Sequence, residues 1–168
     1  MKHYLTRMKG GAALPPRIST PALGRSFMGA MLAIGVVAYL AVKSGTPLVL
    51  GSFGASCVLL FSFPDNPFSQ PRNVIGGHFV TSLTGLVFLA AFGSTWWSMA
   101  LALACAISLM HLTRTVHPPA GSNPIIVMLS VPGWSFLLTP TLCGSVLLVA
   151  VALVFNNWER DSGYPRYW

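Results

Sequence analysis

The run His117-Pro118-Pro119-Ala120-Gly121-Ser122-Asn123-Pro124 constrains this chain more than any other stretch. It sets residues that resist helix formation inside an otherwise lipid-like sequence. Proline lacks the amide donor and locks φ, and the residue before a proline is pushed out of the helical region. A bilayer core tolerates irregular backbone only where protein or a water-filled cavity encloses it. The run is therefore either a loop at the membrane surface or the lining of a site inside the membrane.

The surrounding sequence makes that choice meaningful. Of 168 residues, 54% are hydrophobic and only 8% charged, with a mean hydropathy of +0.67. A soluble domain carries about 25% charged residues. The chain reads as an integral membrane protein, long enough for one compact helical bundle. No Asp, Glu, Lys or Arg lies between Arg72 and Arg114, or between Arg114 and Glu159, and only Lys43 interrupts 26–64. Each gap holds a pair of spans of about 20 residues. The expected fold is all-α and polytopic, with six apolar segments at 26–42, 47–63, 74–93, 96–112, 120–131 and 135–155. The second is Gly/Ser-rich at its start. The fifth would make only about 18 Å of helix, too short to cross a core of about 30 Å unaided.

Charge sets the orientation. Lys2, Arg7, Lys9, Arg17 and Arg25 precede the first segment. With six crossings, Arg72, Arg114, Arg160 and Arg166 share that side and Lys43 alone falls opposite, so both termini are expected in the cytoplasm. Four crossings with two re-entrant segments would put Arg72 outside. The expected organisation is a basic N-terminal segment at 1–22, a membrane domain at 23–156 and a short cytoplasmic tail at 157–168. The basic segment is too far ahead of the apolar run for a cleavable signal peptide. It reads as an anchor at an anionic lipid surface rather than a nucleic-acid arm. Cys57, Cys105 and Cys143 lack paired spacing and read as small buried hydrophobes. The Met residues read as packing, and Trp96, Trp97, Trp134 and Trp158 as interfacial belts at span ends.

The two halves, 24–93 and 94–156, share one grammar: a full span, a Gly/Ser-rich break, a short apolar run, a proline and another full span. The breaks are Gly51-Ser52-Phe53-Gly54-Ala55-Ser56 and Pro119-Ala120-Gly121-Ser122-Asn123-Pro124. At an offset of 68, Ser62 meets Ser130, Pro64 meets Pro132, Phe68 meets Phe136 and Gly76 meets Gly144. Three crossings per half would make the halves two inverted three-helix repeats, a transporter plan with its site near the midplane where broken helix ends meet.

The side chains at the breaks suit a small anion. Ser52, Ser56, Ser122 and Asn123 are good helix N-caps, and Asn123-Pro124 places a cap before a proline at the first helical position. Helix first turns carry amides without intrahelical partners, which favour anions. Gly51, Gly54 and Gly121 would let backbone approach a ligand, with Ala55 and Ala120 beside them. No Asp or Glu lies in the expected membrane interior, which disfavours a cation transporter or proton pump. The polar inventory there is His78, His111, His117, Arg114, Thr113, Thr115, Asn73 and the Ser and Asn residues of the breaks. His78 either lines the site or bonds a neighbouring helix close to Gly76-Gly77. Arg114 is either an anion-attracting group or a cytoplasmic anchor, and His111 reads as interfacial.

The segment Thr113-Arg114-Thr115-Val116-His117-Pro118-Pro119-Ala120-Gly121-Ser122-Asn123-Pro124 resembles the signature of the HPP family of integral membrane proteins. The runs Gly51-Ser52-Phe53-Gly54-Ala55-Ser56-Cys57-Val58-Leu59-Leu60-Phe61 and Gln70-Pro71-Arg72-Asn73-Val74-Ile75-Gly76-Gly77-His78 resemble its other two motifs, in the family's order. The likeness covers roughly residues 20–156. Plant and cyanobacterial members are associated with nitrite transport, so the resemblance implies a small-anion substrate. The family is usually described with four spans, whereas the charges here favour six crossings or broken elements. Some relatives carry a soluble regulatory domain after the membrane region; with about ten residues beyond the last expected span, that regulation is not expected here.

The leading expectation is a nitrite-class anion transporter or channel in a bacterial inner membrane. Arg72 and Arg114 would concentrate the anion, and His78 or His117 would couple proton movement. Its partners would be a small inorganic anion and the bilayer, in a homo-oligomer, without nucleic acid, metal or cofactor. The competing class is a structural or assembly module that transports nothing. A water-accessible cavity at the breaks favours the first and a packed centre the second. An enzyme is least favoured, since no acid–base pair, oriented nucleophile or metal-ligand spacing is present.

Overall fold

The computed structural model describes residues 2–158 and 163–168; Glu159 and Arg160 lie outside them. The described residues form helices and turns without strands. After a short helix α1 (Lys2–Arg7) comes α2 (Thr20–Ser44). The Ser19 hydroxyl accepts from the Ala22 amide at 3.4 Å, Pro21 occupies the first turn, and Gly45 ends the helix at φ 64°. The buried face of α2 is small and aliphatic, Gly29, Ala33 and Val37 at helical spacing, so α3 and α7 pack close to it.

The chain then turns inward without forming a helix. Residues 46–50 are non-helical, with Leu48 and Leu50 buried. Helix α3 (Ser52–Ser62) begins only after this leg. At its far end Ser26 donates to the Phe61 carbonyl at 3.2 Å and Ser62 donates to Ser26 at 3.0 Å. Those bonds set Ser62 level with the first turns of α2. Ser52 is thus about 15 Å deeper, at 1.5 Å per residue, near the middle of α2. A turn at Pro67–Ser69, capped by Asn66, leads into α4 (Pro71–Phe92), which starts at a proline and stops at Gly93 with φ 68°.

Helix α5 (Trp96–Leu112) returns against α4 on a narrow face of Ser98, Ala102, Ala106 and Met110. A second non-helical leg, residues 113–117, climbs back along α4. A Cβ on Gly76 would stand 2.7 Å from Thr115 Cγ2, one on Gly77 2.8 Å from His117 Cβ, and one on Gly85 2.9 Å from Pro124 Cα. From the level of Gly76 to that of Gly85 is about 14 Å along α4. Pro118–Ser122 winds into a tight 3-10 turn, and α6 (Asn123–Ser130) carries on outward, where Ser94 donates to the Met128 carbonyl at 2.6 Å.

The sixth segment differs from the continuous run expected over 135–155. A 3-10 turn (Trp134–Leu137) and a π turn (Leu138–Leu142) precede α7 (Cys143–Trp158), with Thr139 extended at φ −129° and ψ 121°. Pro140 has no amide to continue a helical ladder and forces its predecessor out of helix geometry. Helix α7 ends beside α3, where Asn156 donates to the Leu60 carbonyl at 3.0 Å. By length and apolar composition Thr20–Ser44, Pro71–Phe92 and Trp134–Trp158 suffice to cross a membrane, while Trp96–Leu112 is a shorter apolar helix. Trp96, Trp134 and Trp158, at ends of these elements, are exposed.

Beyond α7, residues 163–168 fold back beneath the turn between α3 and α4. Tyr164 is buried and donates to the Ser69 carbonyl at 2.8 Å. Arg166 bridges Asp65 at 2.9 Å, and Tyr167 donates to Asn73 Oδ1 at 3.0 Å. Asn73 in turn donates to the Val116 carbonyl at 2.9 Å, so the tail and the His117 leg share one support.

Candidate functional site

The two legs end at the same place. Ser52 and Ser56 face inward from α3, His78 and Ser82 from α4, and His117 and Asn123 from the second leg and the start of α6. All six are buried. Their contacts form one hydrogen-bonded cluster. Ser52 donates to Asn123 Oδ1 at 2.8 Å. Asn123 Nδ2 donates to Ser82 Oγ at 2.9 Å and to His78 Nδ1 at 3.0 Å. His78 Nε2 lies 3.0 Å from Ser56 Oγ, and His117 Nε2 lies 2.8 Å from the same oxygen. His117 Nδ1 is 2.7 Å from the Phe68 carbonyl.

Donor and acceptor accounting assigns the tautomers. A carbonyl only accepts, so His117 Nδ1 carries a proton. In the neutral ring Nε2 is then an acceptor and takes the Ser56 hydroxyl proton. The amide nitrogen of Asn123 only donates, so His78 Nδ1 accepts and its proton sits on Nε2, donating to Ser56 Oγ. The imidazole centroids are 5.1 Å apart, and the Phe53 ring stands perpendicular to His78 with centroids 5.1 Å apart. Thr141, from the kinked start of the last span, donates to Ser82 at 3.0 Å. No carboxylate, lysine or arginine among the described residues is bonded to either ring.

Of the sequence-predicted residues, Ser52, Ser56, His78, His117 and Asn123 converge. Gly54 and Ala55 lie on the exposed face of α3, Gly51 is exposed just before it, and a Cβ on Gly51, Gly54 or Gly121 would meet nothing within 4 Å. Ala120 is buried, Gly121 and Ser122 are half-buried, and Ser122 donates to the Pro119 carbonyl at 2.9 Å. Arg114 is exposed at φ 56°, and Arg72 donates to the Thr113 carbonyl at 3.1 Å at the same end of the bundle. His111 is exposed at the end of α5.

The expected free amides at the two helix starts are corrected by the geometry. Phe53 N donates to the Leu50 carbonyl at 3.0 Å, Gly54 N to Gly51 at 3.4 Å, and Ala120 N to His117 at 3.0 Å. The Asn123 amide donates to the Ala120 carbonyl. Each helix is continued backwards by a tight turn whose carbonyls take up these amides. Nor does Asn123 act as an N-cap; its side chain turns across to His78, Ser82 and Ser52.

Sequence reasoning missed Ser82 and Thr141. The available signal was the hydroxyl cluster Thr81, Ser82 and Thr84 within an apolar span. The cavities seen in the structure lie elsewhere. A groove of about 1050 Å³ runs between α2 and α7, and a polar pocket of about 460 Å³ opens where α2 starts and α7 ends, near Arg25, Ser62 and Asp65. The cluster itself is packed.

Relatives share most of the chain. Two transmembrane proteins of Dictyostelium discoideum are each 34% identical, over 98% and 92% of this chain. The chain spans 57% and 58% of those two proteins' lengths. No solved structure matches. A family model described as "HPP, transmembrane region" matches residues 15–165. With the apolar spans and the buried polar junction already described, that match across nearly the whole chain shows that it belongs to the HPP family of integral membrane proteins.

Proposed function

We propose that the protein carries a small inorganic anion across the membrane, with nitrite the first candidate, and that the six-residue cluster is the closed state of its passage. One observation carries this reading: two histidines and four further polar side chains are buried together where two half-length helices meet. Packing a span needs only apolar or small residues, and ionisable groups at membrane depth mark conduction or binding far more often than packing. The directions of the elements agree with it. Helix α3 runs from the centre to the end of the bundle that holds the start of α2, while α6 runs from the centre to the opposite end. Gly144 receives the first leg, where a Cβ would run into the Leu48 carbonyl, and Gly76 receives the second. These glycines are the pair that coincide at the offset of 68. We read the halves as inverted repeats with the site at their shared centre.

In this reading Arg72 and Arg114 draw anions to the cytoplasmic mouth. Both termini face the cytoplasm, the membrane is a plasma membrane, and the protein works as a homo-oligomer. The packed centre, with its polar atoms satisfied by one another, favours a second reading as a non-transporting structural module. Nitrite flux into liposomes holding the purified protein separates the two. Uptake above that of empty liposomes is expected, and Asn123→Leu is expected to reduce it by stranding Ser52, His78 and Ser82. Uptake equal to empty liposomes across several pH values refutes transport and leaves the structural reading.

A further inference from the structure

An anion crossing this centre would meet no fixed positive charge. We infer that His117 supplies that charge transiently, taking up one proton for each anion carried, with the Ser56 hydroxyl as the pivot that accommodates it; this rests on the transport reading above.

The geometry offers Ser56 two acceptors for its single proton. His117 Nε2 lies at 2.8 Å and the Ser52 carbonyl at 3.2 Å. In the neutral cluster the hydroxyl donates to His117. When a proton binds Nε2, a new N–H bond forms and that nitrogen becomes a donor. The hydroxyl then turns to the Ser52 carbonyl, and Ser56 Oγ accepts from both imidazoles, one on each lone pair. Every donor still has an acceptor, and no heavy atom has moved.

His78 has no such freedom. Its unprotonated nitrogen Nδ1 faces the Asn123 amide nitrogen at 3.0 Å. A proton there would oppose two donors, relieved only by turning the Asn123 amide that also holds Ser52 and Ser82. The hydrogen bonds of the cluster therefore accommodate one proton, at His117, and oppose a second.

The groups facing the two rings explain why the proton does not arrive alone. They are Ser56 and Phe53 from α3, Asn123 from α6, Gly77 and Ser82 from α4, Thr141 of the last span through Ser82, and the Phe68 carbonyl from the turn before α4. None is a carboxylate. A buried imidazolium without a counter-charge is strongly disfavoured, so the cation persists only with the anion beside it. Proton and anion enter together and leave together when the N–H bond breaks on the far side. One positive and one negative charge cross per cycle, and transport is electroneutral.

The test uses reconstituted protein with a pH-sensitive dye inside liposomes and the membrane potential clamped by potassium and valinomycin. A nitrite gradient is expected to drive one proton inward per nitrite, at a rate independent of the clamped potential, and His117→Gln is expected to lose both fluxes. Nitrite flux that carries current and no protons, or coupled flux retained in His117→Gln, overturns the inference while transport stands. Absence of any nitrite flux refutes transport and the coupling with it. Nitrogen-15 NMR of histidine-labelled protein reads the site directly, whether or not His117→Gln folds. The expected neutral forms are Nδ1–H for His117 and Nε2–H for His78, with added nitrite raising the protonation midpoint of His117. Protonation of His78 first, or a midpoint indifferent to nitrite, overturns the inference.

Discussion

Replacing Gly77 with alanine tests whether the second leg is held where the cluster needs it. The new Cβ would stand 2.8 Å from His117 Cβ and 2.8 Å from the Thr115 carbonyl oxygen. Carbon atoms rest at about 3.5–4.0 Å, so the leg must withdraw by roughly 1 Å. His117 is bonded at 2.8 Å to Ser56 and 2.7 Å to the Phe68 carbonyl. Stretched that far, neither remains a hydrogen bond. Two lost bonds at about 1 kcal/mol each, with buried ring nitrogens stranded, amount to about 3–5 kcal/mol. Alanine returns about 1 kcal/mol through its better helix propensity, leaving a net loss of roughly 2–4 kcal/mol. For a chain of this size that lowers Tm by roughly 5–15 °C. Thermal unfolding in detergent, followed by circular dichroism, measures it, with nitrite flux as the second readout. Gly54→Ala is the matched control. Its Cβ would meet nothing within 4 Å, so it should leave flux unchanged and gain up to about 1 kcal/mol. If Gly77→Ala matches the parent in Tm and flux, or if Gly54→Ala is the variant that loses transport, the assignment of the inner face of the bundle is wrong.

Two further outcomes concern the frame around the cluster. Val131 ends α6 in the left-handed region at φ 46° and is exposed. Val131→Gly should relieve about 1–2 kcal/mol of steric strain and raise Tm; a lower Tm would contradict that strain. Tyr164→Phe removes the 2.8 Å bond to Ser69 and should destabilise by about 1–2 kcal/mol. Burial pushes the Tyr164 phenol above its ordinary range, so the folded state favours the protonated ring. That preference adds stability below the unfolded value of about 10 and loses it as pH rises further. Urea titrations at alkaline pH should show a shallower decline in Tyr164→Phe than in the parent; identical slopes would show that the tail does not hold the phenol buried.

The membrane class, the six apolar segments and the two breaks were legible in the sequence, because charge is excluded from a bilayer core and Gly, Pro and Ser interrupt helices wherever they cluster. Two of the three family motifs were legible for the same reason: they contain the breaks. His78, His117, Ser52, Ser56 and Asn123 could be nominated because polar groups stand out against lipid-like surroundings. Which of the nominated residues face inward could not be read. Gly54 and Ala55 share α3 with Ser52 and Ser56 yet lie on its opposite face, as does Gly51 just before it. In water an amphipathic stripe would have told the faces apart. In a bilayer the outside of the bundle is as apolar as its inside, and that signal vanishes.

Tertiary structure decided the rest. It closed the helix-start amides into tight turns, added Ser82 and Thr141, opened a third irregular stretch at Thr139, and folded Tyr164 under the turn before α4. Above all it brought residues 52 and 123 to within one hydrogen bond. The sequence by itself determined that a membrane-class chain must interrupt its helices twice. Only the close approach of the legs to Gly77 and Gly144 decided that both breaks meet, since small residues reveal where backbones can touch but not which backbone arrives.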